Sequence, residues 1–260
     1  MKRKGICLTL AALLLLAAAM SGCVQEAAVE PQVTAGTEET GTVAEPEAQK
    51  SEKQLPPPPD IDINSWEYLY AGVACGVSRY HPEVRNIEGQ LLDARIAQDT
   101  SDFLNAAREQ GYKVWICVGY RNFEYTSFYY EKAMREYGGA YEAAQADYVF
   151  PAGTSEHSTG LAIDITDEPS LAANYFDMHD ETVADTEVYK WMAEHCAEYG
   201  FIVRYPEGRE EYYEKACYPG HFRYVGREAA EYIMENGLCF EEFLNLYPDK
   251  QLSITFGPES

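Results

Sequence analysis

Residues 24 to 60 hold eight acidic side chains and two lysines among Ala, Thr, Gln and Pro, with no aromatic residue. Such a stretch buries too little apolar area to offset its chain entropy. It reads as a tether, spanning roughly 35 Å root-mean-square if flexible and stiffened by the four prolines at 56 to 59. Of 260 residues, a single folded domain from residue 61 onward, with its core in about residues 90 to 230, is therefore expected. The chain carries 20 Lys+Arg against 43 Asp+Glu, a formal net charge of −23. That balance excludes nucleic acid as a partner, since phosphate-backbone binding needs a basic stripe to displace counterions.

Ahead of the tether, Lys2, Arg3 and Lys4 precede an apolar run from residue 6 to residue 20, the pattern of an export signal over residues 1 to 22. The run is short for a membrane span. Its end, Met20-Ser21-Gly22-Cys23, resembles the lipobox of bacterial lipoproteins. That resemblance implies an extracytoplasmic protein acylated on Cys23 and held to the cell membrane by its lipid, with residues 23 to 60 as the tether. Two acyl chains give stable anchoring where one does not. In the expected domain, Cys75, Cys117, Cys196, Cys217 and Cys239 contain no CxxC pair. Buried free thiols are expected, with one disulfide open and its pairing unspecified.

Helical spacing runs over residues 92 to 110 and stops at Gly111. A buried-strand run covers 112 to 118, further helices cover about 125 to 137 and 187 to 199, and a short strand covers 201 to 205. An α+β fold follows, a small and largely antiparallel sheet flanked by helices. In Ser155-Glu156-His157-Ser158-Thr159-Gly160-Leu161-Ala162-Ile163-Asp164-Ile165, alternation puts Leu161, Ile163 and Ile165 on one face and Ala162 and Asp164 on the other. A carboxylate on such a strand needs a partner, and Gly160 permits a turn that could bring His157 beside it. Residues 221 to 225 alternate similarly, beginning with His221. Two histidines and one carboxylate at strand ends make a three-ligand zinc site with an open fourth position. The same residues also suit a core hydrogen bond and a turn cap, and spacing does not choose between these.

SEHSTGLAIDI resembles the SxHxxGxAxD motif of VanY-type D-alanyl-D-alanine carboxypeptidases, within the D-Ala-D-Ala and lysostaphin-like zinc metallopeptidases. Three further blocks are similar and in order. Gly119-Tyr120-Arg121 resembles the SGYRS segment, residues 198 to 206 the YGF(x)xRYP segment, and residues 221 to 226 the WHxRYVG segment. The resemblance implies one Zn²⁺ on His157, Asp164 and His221, with Arg121 holding the substrate's terminal carboxylate and Ser155 nearby as a donor. A guanidinium suits that task because it offers a carboxylate two parallel hydrogen bonds. The implied activity is removal of the C-terminal D-alanine from peptidoglycan stem peptides, of D,D or L,D type, by a monomer.

One departure bears on activity. Where the family has Glu-Pro-Trp-His, with the glutamate as general base, this chain has Tyr218-Pro219-Gly220-His221. A phenol with a pKa near 10 is a poor proton acceptor at neutral pH. Three expectations stand together: an active enzyme using another acid such as Glu214 or Glu156, though alternation points Glu156 away from the metal; a weakened enzyme relying on zinc alone; and a zinc-retaining pseudoenzyme that binds stem peptides without cleaving them. No SxxK or HExxH occurs, and Cys217 lies too close in sequence to His221 for a thiol–imidazole pair. His81, His179 and the acidic run at 207 to 214 read as solvated surface, and His195 on its helix as surface or core edge. Trp191 and Met192 fit the apolar stripe of their helix, and the many tyrosines read as half-buried packing or the lining of a groove.

Overall fold

The computed structural model describes residues 54–72, 75–77, 79–145, 149–170, 181–213 and 220–250. Expectations placed on the signal, most of the tether, Cys23, His179, Glu214, Cys217 and Tyr218 lie outside them. Among the described residues, six strands and six α-helices follow one another as β1 (Val84–Ile87), β2 (Gln90–Asp93), α1 (Ala97–Glu109), β3 (Trp115–Val118), α2 (Phe123–Tyr137), α3 (Ala140–Gln145), β4 (Ala162–Thr166), α4 (Glu187–His195), β5 (Phe201–Val203), β6 (His221–Tyr224), α5 (Arg227–Asn236) and α6 (Phe240–Asn245). Among the described residues, no helix is long and apolar enough to cross a membrane.

The expected mixed fold is present. A four-stranded antiparallel sheet has the order β3-β4-β6-β5, and β1 and β2 form a separate hairpin. Ile163 and Ile165 of β4 join Phe222 and Phe201 on one face, where Phe103, Leu104 and Ala107 of α1 and Val188 and Met192 of α4 close the core. Phe103 sits at its centre, stacked on Tyr199 and Phe201 and edge-on to Phe222. A second core gathers Ile202 with Ala229, Ala230 and Ile233 of α5 and Phe240, Phe243 and Leu244 of α6.

Two boundaries differ from expectation for local reasons. Residues 92 and 93 are strand, not helix: Leu92 pairs with Arg85, and the Asp93 carboxylate accepts from Arg95 N at 2.9 Å, opening a 3₁₀ turn ahead of α1. The helix expected over 187 to 199 ends at His195 and continues as a 3₁₀ turn to Tyr199, closed by Gly200 at φ 80°. Strands β3 and β5 are also shorter than read. Cys75, Cys117, Cys196 and Cys239 are all free thiols.

Candidate metal centre

Register sets the site. On adjacent strands Asp164 is paired directly with His221, and two residues along the same face Ala162 is paired with Arg223. Directly opposed side chains on one face stand with Cβ atoms about 5 Å apart. On the other side of β4 the ladder to β3 steps from Ile116–Ile165 to Val118–Asp164, so Cys117 is the extra residue of a bulge. Bulges re-aim side chains next to sites, and here the Cys117 thiol donates to the Asp164 carbonyl at 3.3 Å.

His157 reaches the pair from a 3₁₀ turn, Glu156–Thr159, whose start is capped by the Ser155 hydroxyl accepting from His157 N at 3.3 Å. Gly160 ends the turn at φ 75°, and a Cβ there would stand 3.0 Å from Asp93 N. Only glycine adopts that backbone without strain. The His157 carbonyl accepts from Arg121 N at 3.0 Å and from Gly160 N at 3.2 Å. Arg121 enters this region because Tyr120 N donates to Leu91 O at 2.6 Å, bending the chain as it leaves β3, before Asn122 caps α2.

His157, Asp164 and His221 present ligand atoms that all lie within 4.8 Å of one another. His157 Nε2 is 3.2 Å from Asp164 Oδ2, and His221 Nδ1 is 2.8 Å from Asp164 Oδ1. Both imidazoles are buried and the Asp164 carboxylate nearly so. Burial alone would push the Asp164 carboxyl up, but the two imidazoles outweigh it and hold the group well below the usual carboxylate range. Burial likewise lowers His157, against the pull of Asp164, and so favours the neutral ring that a metal ligand requires. In His221 burial also pulls downward, but Asp164 and Glu156 prevail and its pKa is raised.

The donor set fits a metal ion. Asp164 Oδ1 is buried with no hydrogen-bond partner among the described residues, although a ring nitrogen stands 2.8 Å away. Close approach without hydrogen-bond alignment is what results when lone pairs are directed at one shared cation. Two imidazoles and one carboxylate are the ligand chemistry of catalytic zinc.

The structure brings these three residues together, with Ser155 at the start of the same turn and the Arg121 backbone bonded to it. The sequence pattern misplaced Glu156. In place of a strand position turned away, Glu156 occupies the 3₁₀ turn, is buried, and lies with Oε2 3.2 Å from His221 Nε2, on the far side of the ring from Asp164. Its Oε1 accepts from Arg204 Nε at 2.8 Å and Arg223 Nη1 at 3.0 Å. Burial opposes its charge, yet Arg204, Arg223 and then His221 hold its carboxyl far below the ordinary value. Of the histidines assigned to the surface or core edge, His81 is exposed, and His195 stacks on Trp191 and bonds Glu198 at 2.7 Å, away from the site.

A family model described as VanY, D-alanyl-D-alanine carboxypeptidase, matches residues 89–227. The chain belongs to the VanY family. It is 36% identical over 175 residues to a D-alanyl-D-alanine carboxypeptidase of Enterococcus faecalis, a match covering 65% of this chain and 61% of that protein. The chain thus spans about three fifths of the length of this curated relative. Among solved structures, a variant of the vancomycin resistance D,D-pentapeptidase VanY in complex with Zn(II) superposes with a TM-score of 0.58 at 32% identity, covering 70% of this chain and all of that one. VanYB in complex with D-alanine-D-alanine gives the same TM-score at 30% identity, covering 72% of this chain and 100% of that one. The α+β fold is therefore that of the VanY zinc carboxypeptidases.

Proposed function

We propose that this VanY family member is a zinc-dependent carboxypeptidase that removes the C-terminal D-alanine of peptidoglycan stem peptides outside the cell membrane, to which Cys23 tethers it. The observation that carries this reading is the convergence of His157, Asp164 and His221 on one point, with the backbone of Arg121 bonded to that of His157. Zn(II) and D-alanine-D-alanine in the solved relatives support the metal and the ligand class.

A zinc ion held by the three side chains would supply Lewis-acid chemistry to the scissile carbonyl. Asp164 contributes the one negative charge of the set, and the two imidazoles hold it ionised. Arg121 binds the terminal carboxylate, the group that separates an exopeptidase substrate from an internal peptide bond. Because its main chain is tied to the His157 carbonyl, carboxylate and metal are held at a fixed spacing, which is how positioning lowers a barrier. The Ser155 hydroxyl, already accepting from His157 N, keeps its own proton to donate to substrate.

The ion pairs of Glu156 argue against it as general base, since a carboxylate held far below its ordinary pKa by two guanidinium groups has little proton affinity. Tyr218 at the family's base position favours a second reading, a zinc-retaining protein that binds stem peptides without cleaving them. Incubating the zinc-loaded protein with a synthetic stem pentapeptide and tetrapeptide, and following released D-alanine by mass spectrometry, decides between them. Release abolished by a chelator is expected. Zinc uptake without release, with Tyr218→Glu switching release on, would establish the binding-only reading.

Arg121→Ala is expected to lower kcat/KM for free-carboxylate peptides about 10- to 100-fold, mainly through KM, the size of one charged hydrogen-bonding interaction. C-terminally amidated peptides, which lack the charge, should respond little. Equal losses on both would remove Arg121 from carboxylate recognition.

A further inference from the structure

Glu156 is 3% exposed, and both of its oxygens are taken by protein donors. The two arginines on Oε1 are themselves immobilised from behind. Arg204 makes a two-pronged pair with Glu241, Nη1 to Oε2 at 3.0 Å and Nη2 to Oε1 at 2.6 Å. Arg223 donates through Nη2 to the Glu67 and Leu69 carbonyls at 3.0 and 2.6 Å, and through Nε to the Tyr224 carbonyl at 2.9 Å. Phe240 lies beneath both guanidinium groups, at 5.4 Å from Arg204 and 5.0 Å from Arg223. The carboxylate is clamped from two sides, and its remaining oxygen faces His221 Nε2.

Buried ion pairs are seldom a net gain in stability over well-packed apolar residues, so a clamp of this kind calls for a reason in geometry. An ionised carboxylate only accepts hydrogen bonds. Of the two ring nitrogens only Nε2 is aligned for a hydrogen bond, to Glu156, while Nδ1 stands 2.8 Å from Asp164 Oδ1 without that alignment, so the neutral ring carries its proton on Nε2 and keeps the Nδ1 lone pair on the side of Asp164. We propose that Glu156 is the positioning residue of His221: held rigid by Arg204 and Arg223, it fixes the tautomer and rotation of the ring so that Nδ1 faces the metal. This rests on the metal-site reading above. Metal-ligating histidines commonly donate their second N–H to a carboxylate, and removing such a partner weakens metal binding. His157 has no equivalent, since its Nδ1 is buried with no hydrogen-bond partner among the described residues and its place is set by backbone bonds. Control of ring orientation thus falls on His221.

Glu156→Gln tests this with almost no change of volume. The amide oxygen will face the two guanidinium groups, its NH₂ will face His221 Nε2, and that nitrogen must then accept. The ring proton moves to Nδ1, the atom needed by the metal. In ¹⁵N-histidine NMR of the metal-free protein at alkaline pH, wild type should show His221 protonated on Nε2 and Glu156→Gln on Nδ1. Zinc affinity by chelator competition should fall about 10- to 100-fold in Glu156→Gln. Asp99→Asn, which deprives Tyr224 and Arg227 of a carboxylate but touches neither His221 nor the clamp, should bind zinc as wild type does. An Nδ1–H tautomer in wild type overturns the proposal, as does an equal loss of affinity in both variants. If Glu156→Gln does not fold, the wild-type spectrum alone decides. Zinc retained by His157→Ala would overturn the metal-site reading instead, and the ring spectrum, which needs no metal, still reports whether Glu156 sets His221.

Discussion

Asp164→Asn is expected to abolish stoichiometric zinc binding and to lower any zinc-dependent D-alanine release on the order of 10³-fold or more, the equivalent of several kcal/mol of transition-state stabilisation by a metal. Asp164 is the sharpest place to test the centre because it lies between the two rings, 3.2 Å from His157 Nε2 and 2.8 Å from His221 Nδ1. Its removal takes away the one negative charge and leaves two imidazoles facing each other. Asparagine keeps the volume, and the backbone contacts that hold this point of the sheet do not involve the carboxylate: the ladder to His221 and Val118 and the Cys117 thiol on the Asp164 carbonyl. The variant should therefore fold, with an unchanged circular dichroism spectrum, while dialysis and metal analysis find no zinc. One equivalent of zinc retained in Asp164→Asn would sink the three-ligand assignment. His157→Ala should behave alike, with the added risk of disturbing the turn that carries Ser155.

The period-two pattern made Asp164 and His221 candidates, and the motif resemblance, not spacing, joined them to His157 as one centre. Alternation over residues 161 to 165 set Asp164 apart from the apolar face of its strand and marked 221 to 225 as a second strand, and the register then set Asp164 opposite His221. The hairpin β1–β2 left no such trace. Val84, Arg85 and Asn86 are exposed and mostly polar, so no apolar face announces a strand, yet the hairpin carries Leu91, whose carbonyl receives Tyr120 N and steers Arg121. Asp93 was absorbed into a helix because the residues after it are helical, and a capping carboxylate looks the same in sequence as a first-turn acid. The place and partners of Glu156 were illegible for a different reason. The 3₁₀ turn breaks the alternation that would predict its direction, and its partners Arg204, His221 and Arg223 lie 48, 65 and 67 residues away. Fully buried arginines are rare enough that nothing in the YGF(x)xRYP-like and WHxRYVG-like blocks marked these two as interior.

That burial makes Arg204→Met the substitution with the largest expected effect on stability. Arg204 is 2% exposed and serves two carboxylates, Glu156 through Nε and Glu241 through both terminal nitrogens. Glu156 keeps Arg223 and His221 when Arg204 is removed. Glu241, fully buried on α6, keeps the Tyr70 hydroxyl at 3.3 Å as its one remaining hydrogen-bond donor among the described residues, beside Phe240 and Phe243 in an apolar cluster. Breaking a buried pair by deleting one partner costs about 3–5 kcal/mol, a large share of the 5–15 kcal/mol that typically separates folded from unfolded domains. For a domain of this size the melting temperature should fall by roughly 10 °C. The loss comes from stranding a charge, not from losing an attraction, so Arg204→Met/Glu241→Leu should recover most of it, because apolar replacement of a whole buried pair is often neutral or stabilising. The rescued double variant should also bind zinc more weakly than wild type, since Glu156 then has one clamping arginine in place of two. Denaturant melts of the two single variants and the double measure the coupling directly. A fall of less than about 1 kcal/mol in Arg204→Met, within the range of exposed pairs, would mean that Arg204 reaches water and that the clamp behind His221 is not rigid.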